Sequence, residues 1–201
     1  MSDLLRDNAK VALIALLVLT AAGCISDLIS PDRPVTILWT IVSLYCQCEV
    51  TRRLLIDLGL LPEDHKARRV GAVFGLGILS GLATLIGCLF LLIPGVILAV
   101  RWFASVPALI SEDIGVTEAM SRSWQETAGL FWPILVVLAT VYAPVILVIV
   151  VAVIAEPQSG FGLLDFIMNL VIAASSVVAW HAAVAVYAKH RGAPHLAEVF
   201  A

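Results

Sequence analysis

The chain has 201 residues, of which 61% are hydrophobic and only 13% charged, with a formal net charge of −3. A mean hydropathy of +1.04 lies well outside the balance of a soluble domain, and a near-balanced charge with no single-sign patch argues against nucleic acid as a partner. Composition therefore predicts a single integral membrane domain over residues 1–201, all-α, folded as a polytopic helix bundle.

Six apolar runs of spanning length follow in chain order. The first covers residues 10–29. It contains Leu19-Thr20-Ala21-Ala22-Gly23-Cys24, which resembles a bacterial lipobox that would lipidate Cys24. Against this, alanine stands where leucine is preferred three positions before the cysteine, and cleavage would remove the first span. The second run covers residues 34–56 and carries Cys46-x-Cys48; helical residues two apart point to different faces, so the pair reads as small apolar core residues and not as metal ligands. Neither these cysteines nor Cys88, His65, His190 and His195 give the spacing of a zinc site, and no cofactor is expected.

From Val70 to Ile110 the only charge is Arg101. As one helix this run would be about 60 Å long, twice the hydrocarbon thickness, so it must divide. Pro94-Gly95 near its middle predicts a tight turn between spans at residues 70–93 and 95–110. Gly71, Gly75, Gly77 and Gly81 form two small-xxx-small pairs on the third span, a face suited to close packing in the bundle or against another subunit. Next, residues 117–128 predict an interfacial elbow helix, with Thr117 as N-cap, Met120, Trp124 and Ala128 on an apolar stripe, and Glu118, Ser121, Arg122, Gln125 and Glu126 on other faces. The fifth span, residues 129–155, is long enough to tilt or to kink at Pro133 or Pro144, and the sixth covers residues 163–188.

Of the 12 basic residues, ten fall on the side of the termini, Arg33 falls opposite and Arg101 lies within a span. The positive-inside rule then places both termini and the elbow helix in the cytoplasm, which an even number of spans requires. Ionisable groups at membrane depth are costly, and so are the first places to look for function. With the turn at Pro94-Gly95, Arg101 would lie about 9 Å below the outer surface. Asp27 and Asp165 would lie at similar depth, able to neutralise it in a structural pair or to line a pathway with it. On the cytoplasmic half, Glu49 and His181 stand at comparable depth and would suit either a proton relay or plain packing, with Glu49, Arg53 and Asp57 also spaced for an interfacial charge ladder. Asn169, Ser175 and Ser176 suit interhelical hydrogen bonds.

The stretch Ile93-Pro94-Gly95-Val96-Ile97-Leu98-Ala99-Val100-Arg101-Trp102, then Val106-Pro107-Ala108-Leu109-Ile110, then Glu118 to Trp124 and Phe131-Trp132, resembles the glycerophosphoryl diester phosphodiesterase membrane-domain family and its small stand-alone bacterial relatives. Pro94, Gly95, Arg101, Ser123 and Trp124 carry that likeness. In larger members the resemblance implies a separate soluble barrel for catalysis; here the longest hydrophilic stretches are under about twenty residues, too short for such a domain. No nucleophile and base stand at a spacing suited to catalysis either. The expectation is a non-catalytic protein of the bacterial inner membrane that binds lipid, including anionic headgroups, or a membrane partner, as a homo-oligomer or with another protein. A small transporter or channel built on Arg101 and the acids is the alternative.

Overall fold

The computed structural model describes residues 2–29, 37–64, 69–155 and 161–191. The regular elements among them are helices: α1 (Ser2–Ile29), α2 (Ile37–Asp57), α3 (Val70–Phe90), α4 (Leu92–Arg101), α5 (Ser105–Ser111), α6 (Val116–Glu126), α7 (Phe131–Ile154) and α8 (Leu163–Arg191). The expected connection from Ser30 to Arg33, most of that from Glu156 to Gly162, and His65, Lys66, Arg68 and His195 lie outside the described residues.

Among the described residues, five stretches are long and apolar enough to cross a membrane: Asn8–Ile29, Val70–Phe90, Leu92–Ser111, Phe131–Ile154 and Leu163–Arg191. Helix α2 forms where a span was expected but is not among them, because Gln47, Glu49, Arg52 and Arg53 load its second half with polar groups. The most apolar window of α7 is only 6% buried and that of α3 only 11%. Such bare helices would each expose a large apolar surface to water at about 25 cal/mol per Å², so their surroundings must be lipid or another apolar surface.

The chain forms two compact units, one of Met1–Val50 and Ala139–Trp180, the other of Thr51–Leu138 and His181–Ala201. In the first, α1 and α8 approach at Gly23, where a Cβ would stand 2.2 Å from Oδ1 of Asn169. The hydroxyl of Ser175 on α8 donates to the carbonyl of Val141 on α7 at 2.9 Å. Leu19, Cys48, Val50 and Ala173 supply fully buried side chains.

In the second unit α3 and α4 form a helical hairpin, and here the turn is not where the sequence puts it. The chain reverses at Leu91, which is extended, and Pro94 and Gly95 lie inside the first turn of α4. Proline is tolerated there because first-turn amides have no helical partner in any case. The glycine serves close approach: a Cβ on Gly95 would fall 2.0 Å from Sγ of Cys88 and 2.9 Å from the carbonyl of Thr84, and one on Gly87 would fall 2.9 Å from the amide of Gly95. The backbones touch at Gly87 and Gly95. By contrast, a Cβ on Gly71, Gly77 or Gly81 would meet nothing within 4 Å among the described residues, and one on Gly75 would meet only Val116, at 3.9 Å.

Moving the turn also moves Arg101. It is the tenth residue after Leu91, about 15 Å along from the reversal by helical rise, against about 9 Å when counted from Pro94-Gly95. The apolar stretch Leu92–Ser111 breaks at that point, with Trp102 to Ala104 separating α4 from α5. Helix α6 then packs on α3 and α5. Gly115, not Thr117, is its N-cap residue, with no side-chain cap bond. The expected apolar stripe is also displaced: Ala119, Met120, Ser123 and Glu126 are buried, whereas Trp124 is 41% exposed. Glu126 turns inward because the end of α8 meets it with Arg191, at 3.3 Å.

Candidate functional site

A break inside a stretch long and apolar enough to cross a membrane leaves backbone groups that lipid could not satisfy. In the second unit Ser123 repairs the break after Arg101. Its hydroxyl donates to the carbonyl of Arg101 at 2.8 Å and accepts from the amide of Ala104 at 3.1 Å. The Thr127 hydroxyl stands 3.1 Å from the same carbonyl and 2.8 Å from that of Ser123. Both side chains are fully buried. The Arg101 guanidinium lies 5.3 Å from the centre of the Trp124 ring, a cation–π contact, and its Nη1 is buried without a hydrogen-bond partner. Three residues of the family-like set, Arg101, Ser123 and Trp124, are thus brought together, while Pro94 and Gly95 shape the hairpin.

A second polar centre joins α5, α6 and α8. Glu112 accepts from the Tyr187 hydroxyl at 3.0 Å and pairs with Nε of Arg122 at 3.2 Å and with Arg191. Ser111 and Tyr187 share a hydroxyl–hydroxyl bond of 2.5 Å, in which Ser111 donates if Tyr187 gives its proton to Glu112. Arg191 also stacks over the Tyr187 ring at 5.4 Å and reaches Glu126. Burial pushes the Glu126 carboxyl above the ordinary glutamate range and the nearby Glu112 charge adds to this, against the opposing pull of Arg191 and His190. Below these groups, Arg69 at the foot of α3 donates to the carbonyls of Leu109 and Ile114 at 2.8 and 2.7 Å and pairs with Asp113 at 3.2 Å. Glu112 and Tyr187 are not singled out by the sequence, and Glu126 reads there only as one of the polar residues off the apolar stripe of the elbow helix.

The first unit holds the other candidate acids. Asn169 donates to Asp27 at 2.6 Å and to the carbonyl of Asp165 at 3.0 Å. The Asp165 carboxylate accepts from the amide of Gly162 at 2.8 Å, so it caps the start of α8. Each acid therefore has a partner within its own unit. Glu49 on α2 and His181 on α8 are both half-buried and belong to different units. No group of three or more His, Cys, Asp or Glu side chains among the described residues is arranged to hold a metal ion.

No curated protein and no solved structure matches this chain. The family described as the membrane domain of glycerophosphoryl diester phosphodiesterase matches residues 78–181. The matched region runs from the α3–α4 hairpin through the repaired break, α6 and α7 into α8, and it is the membrane domain of that family, not its catalytic domain. This multi-pass membrane chain belongs to the glycerophosphoryl diester phosphodiesterase membrane-domain family.

Proposed function

We propose that the chain is a non-catalytic membrane module that binds anionic phospholipid headgroups and assembles with further membrane helices. Its membrane is the bacterial inner membrane, α2 is the second of six spans, both termini are cytoplasmic, and α6 lies at the cytoplasmic interface. The observation that carries this reading is how the polar side chains are used. Ser123 and Thr127 close a helix break, Asp165 caps α8, Asn169 holds Asp27 and Ser175 ties α8 to α7. Groups spent on such bonds hold helices together and leave few to line an aqueous path. Gly71, Gly77 and Gly81 supply an outward face on which a helix of another subunit can pack closely.

The transporter reading rests on Arg101, whose Nη1 is buried without a partner at mid-span. Reconstitution separates the two. The module reading expects co-purifying anionic lipid, association that depends on that lipid, and ion or solute flux in liposomes no greater than in empty vesicles. Flux that Arg101→Ala abolishes while assembly survives would replace it with the transporter, in which Glu49 and His181 would be the next residues to test.

A further inference from the structure

The polar centre between α6 and α8 contains one group whose chemistry is incomplete. Glu126 is 9% exposed, and its Oε2 is shielded from solvent without a hydrogen-bond partner. Among the described residues, its Oε1 pairs with one cation, Arg191, at 3.3 Å. That cation is already engaged by Glu112, which also holds Arg122. Two carboxylates thus compete for Arg191 while one oxygen of Glu126 faces no donor. A shielded oxygen without a donor is a poor place for negative charge and has no room for a water or metal ion, but a proton needs no cavity.

We propose that Glu126 is a proton-binding site whose occupancy sets how tightly α6 docks on the end of α8. The groups that act on it are Arg191 and His190 from α8 and Arg122 from its own helix, which favour the carboxylate, and Glu112, which opposes it. The Tyr187 hydroxyl is directed at Glu112 and leaves Glu126 without its donor.

The docked state holds the Glu126 proton above the ordinary glutamate range because the site is buried, whereas an undocked α6 would release it within that range. The docked form therefore binds more protons across this window. Docking is tightest below the ordinary range, weakens as pH rises through the window, and is constant above the docked-state value.

The test uses the full chain in lipid nanodiscs, with hydrogen exchange of the α6 amides followed from acid to alkaline pH and corrected for intrinsic rates. In the native chain protection should fall as pH rises, by at most about tenfold per pH unit, the slope one proton allows. In Glu126→Gln the protection should stay high and independent of pH, while Glu118→Gln, at an exposed position of the same helix, should keep the native profile. A flat native profile, or a native-like slope in Glu126→Gln, overturns the proposal. If Glu126→Gln does not fold, infrared spectroscopy of the native chain decides. A protonated carboxyl band should persist above the ordinary range and titrate at lower pH in Glu112→Gln; absence of such a band, or an unchanged titration, overturns it.

Discussion

The Ser123 hydroxyl bridges the carbonyl of Arg101, 2.8 Å away, and the amide of Ala104, 3.1 Å away. One side chain of α6 thereby satisfies both backbone groups at the point where α4 ends and the apolar stretch Leu92–Ser111 breaks. Ser123→Ala leaves the Ala104 amide without a partner and should lower stability by about 1–3 kcal/mol, read as earlier thermal unfolding in detergent. Thr127→Val should cost less, since Ser123 still serves the Arg101 carbonyl. Equal effects from the two variants would mean that the break is not held by Ser123.

Gly95→Ala should be among the most damaging small changes in the chain. Its Cβ would meet the Cys88 amide at 2.7 Å as well as the Thr84 carbonyl, and backbone cannot yield as a flexible side chain can. A loss of about 1–3 kcal/mol or more is expected from such overpacking, with reduced yield of folded protein. Gly77→Ala and Gly81→Ala, with open space around them, should leave monomer stability within about 0.5 kcal/mol. If those two variants disrupt association while unfolding at the native temperature, they mark the oligomer face.

Arg69 spans two carbonyls, those of Leu109 and Ile114, and a carboxylate, that of Asp113. A lysine ammonium lacks the planar fork that reaches all three. Arg69→Lys should therefore cost about 1.5–3 kcal/mol, and limited proteolysis should cut sooner in the α5–α6 connection. Both Arg69 and Asp113 have left-handed backbone, with φ of 46° and 52°. Asp113→Gly should thus relieve strain in part while losing the ion pair, for a net effect smaller than that of Arg69→Lys.

The Asn169–Asp27 bond, at 2.6 Å, joins α8 to α1. Asn169→Ala should destabilise by about 1.5–3 kcal/mol, the range for a hydrogen bond to a charged group, as measured by unfolding in denaturing detergent. Gly23→Ala should act through the same bond, because the new methyl would occupy the place of the Asn169 amide. Combining the two substitutions should cost less than the sum of the separate losses.

Much of the fold was legible because it rests on local physics. Apolar runs at Asn8–Ile29, Phe131–Ile154 and Leu163–Arg191 read as spans from length and hydropathy alone. The run expected as a second span forms a helix that is not among these stretches, since α2 combines an apolar first half with Glu49, Arg52 and Arg53. Pro94-Gly95 was misread for a physical reason: the same dipeptide suits a turn or the first turn of a helix packed closely on its neighbour. Only the position of Cys88 and Thr84 beside Gly95 distinguishes these. Of the candidate site, Arg101, Ser123 and Trp124 were named from sequence, but not the hydrogen bonds and ring contact that join them.

The sequence by itself determined that this is an all-α membrane chain and which residues carry its family likeness, because hydrophobic run length and motif spacing are properties of neighbouring residues. Only the tertiary structure decided that Leu91 makes the turn, that Ser123 mends a broken span, and that Glu126 is buried against Arg191 instead of facing solvent. The last two outcomes depend on groups 19 to 65 positions apart meeting across helices. Where burial denies backbone and carboxylate any water, such meetings determine which polar groups find partners.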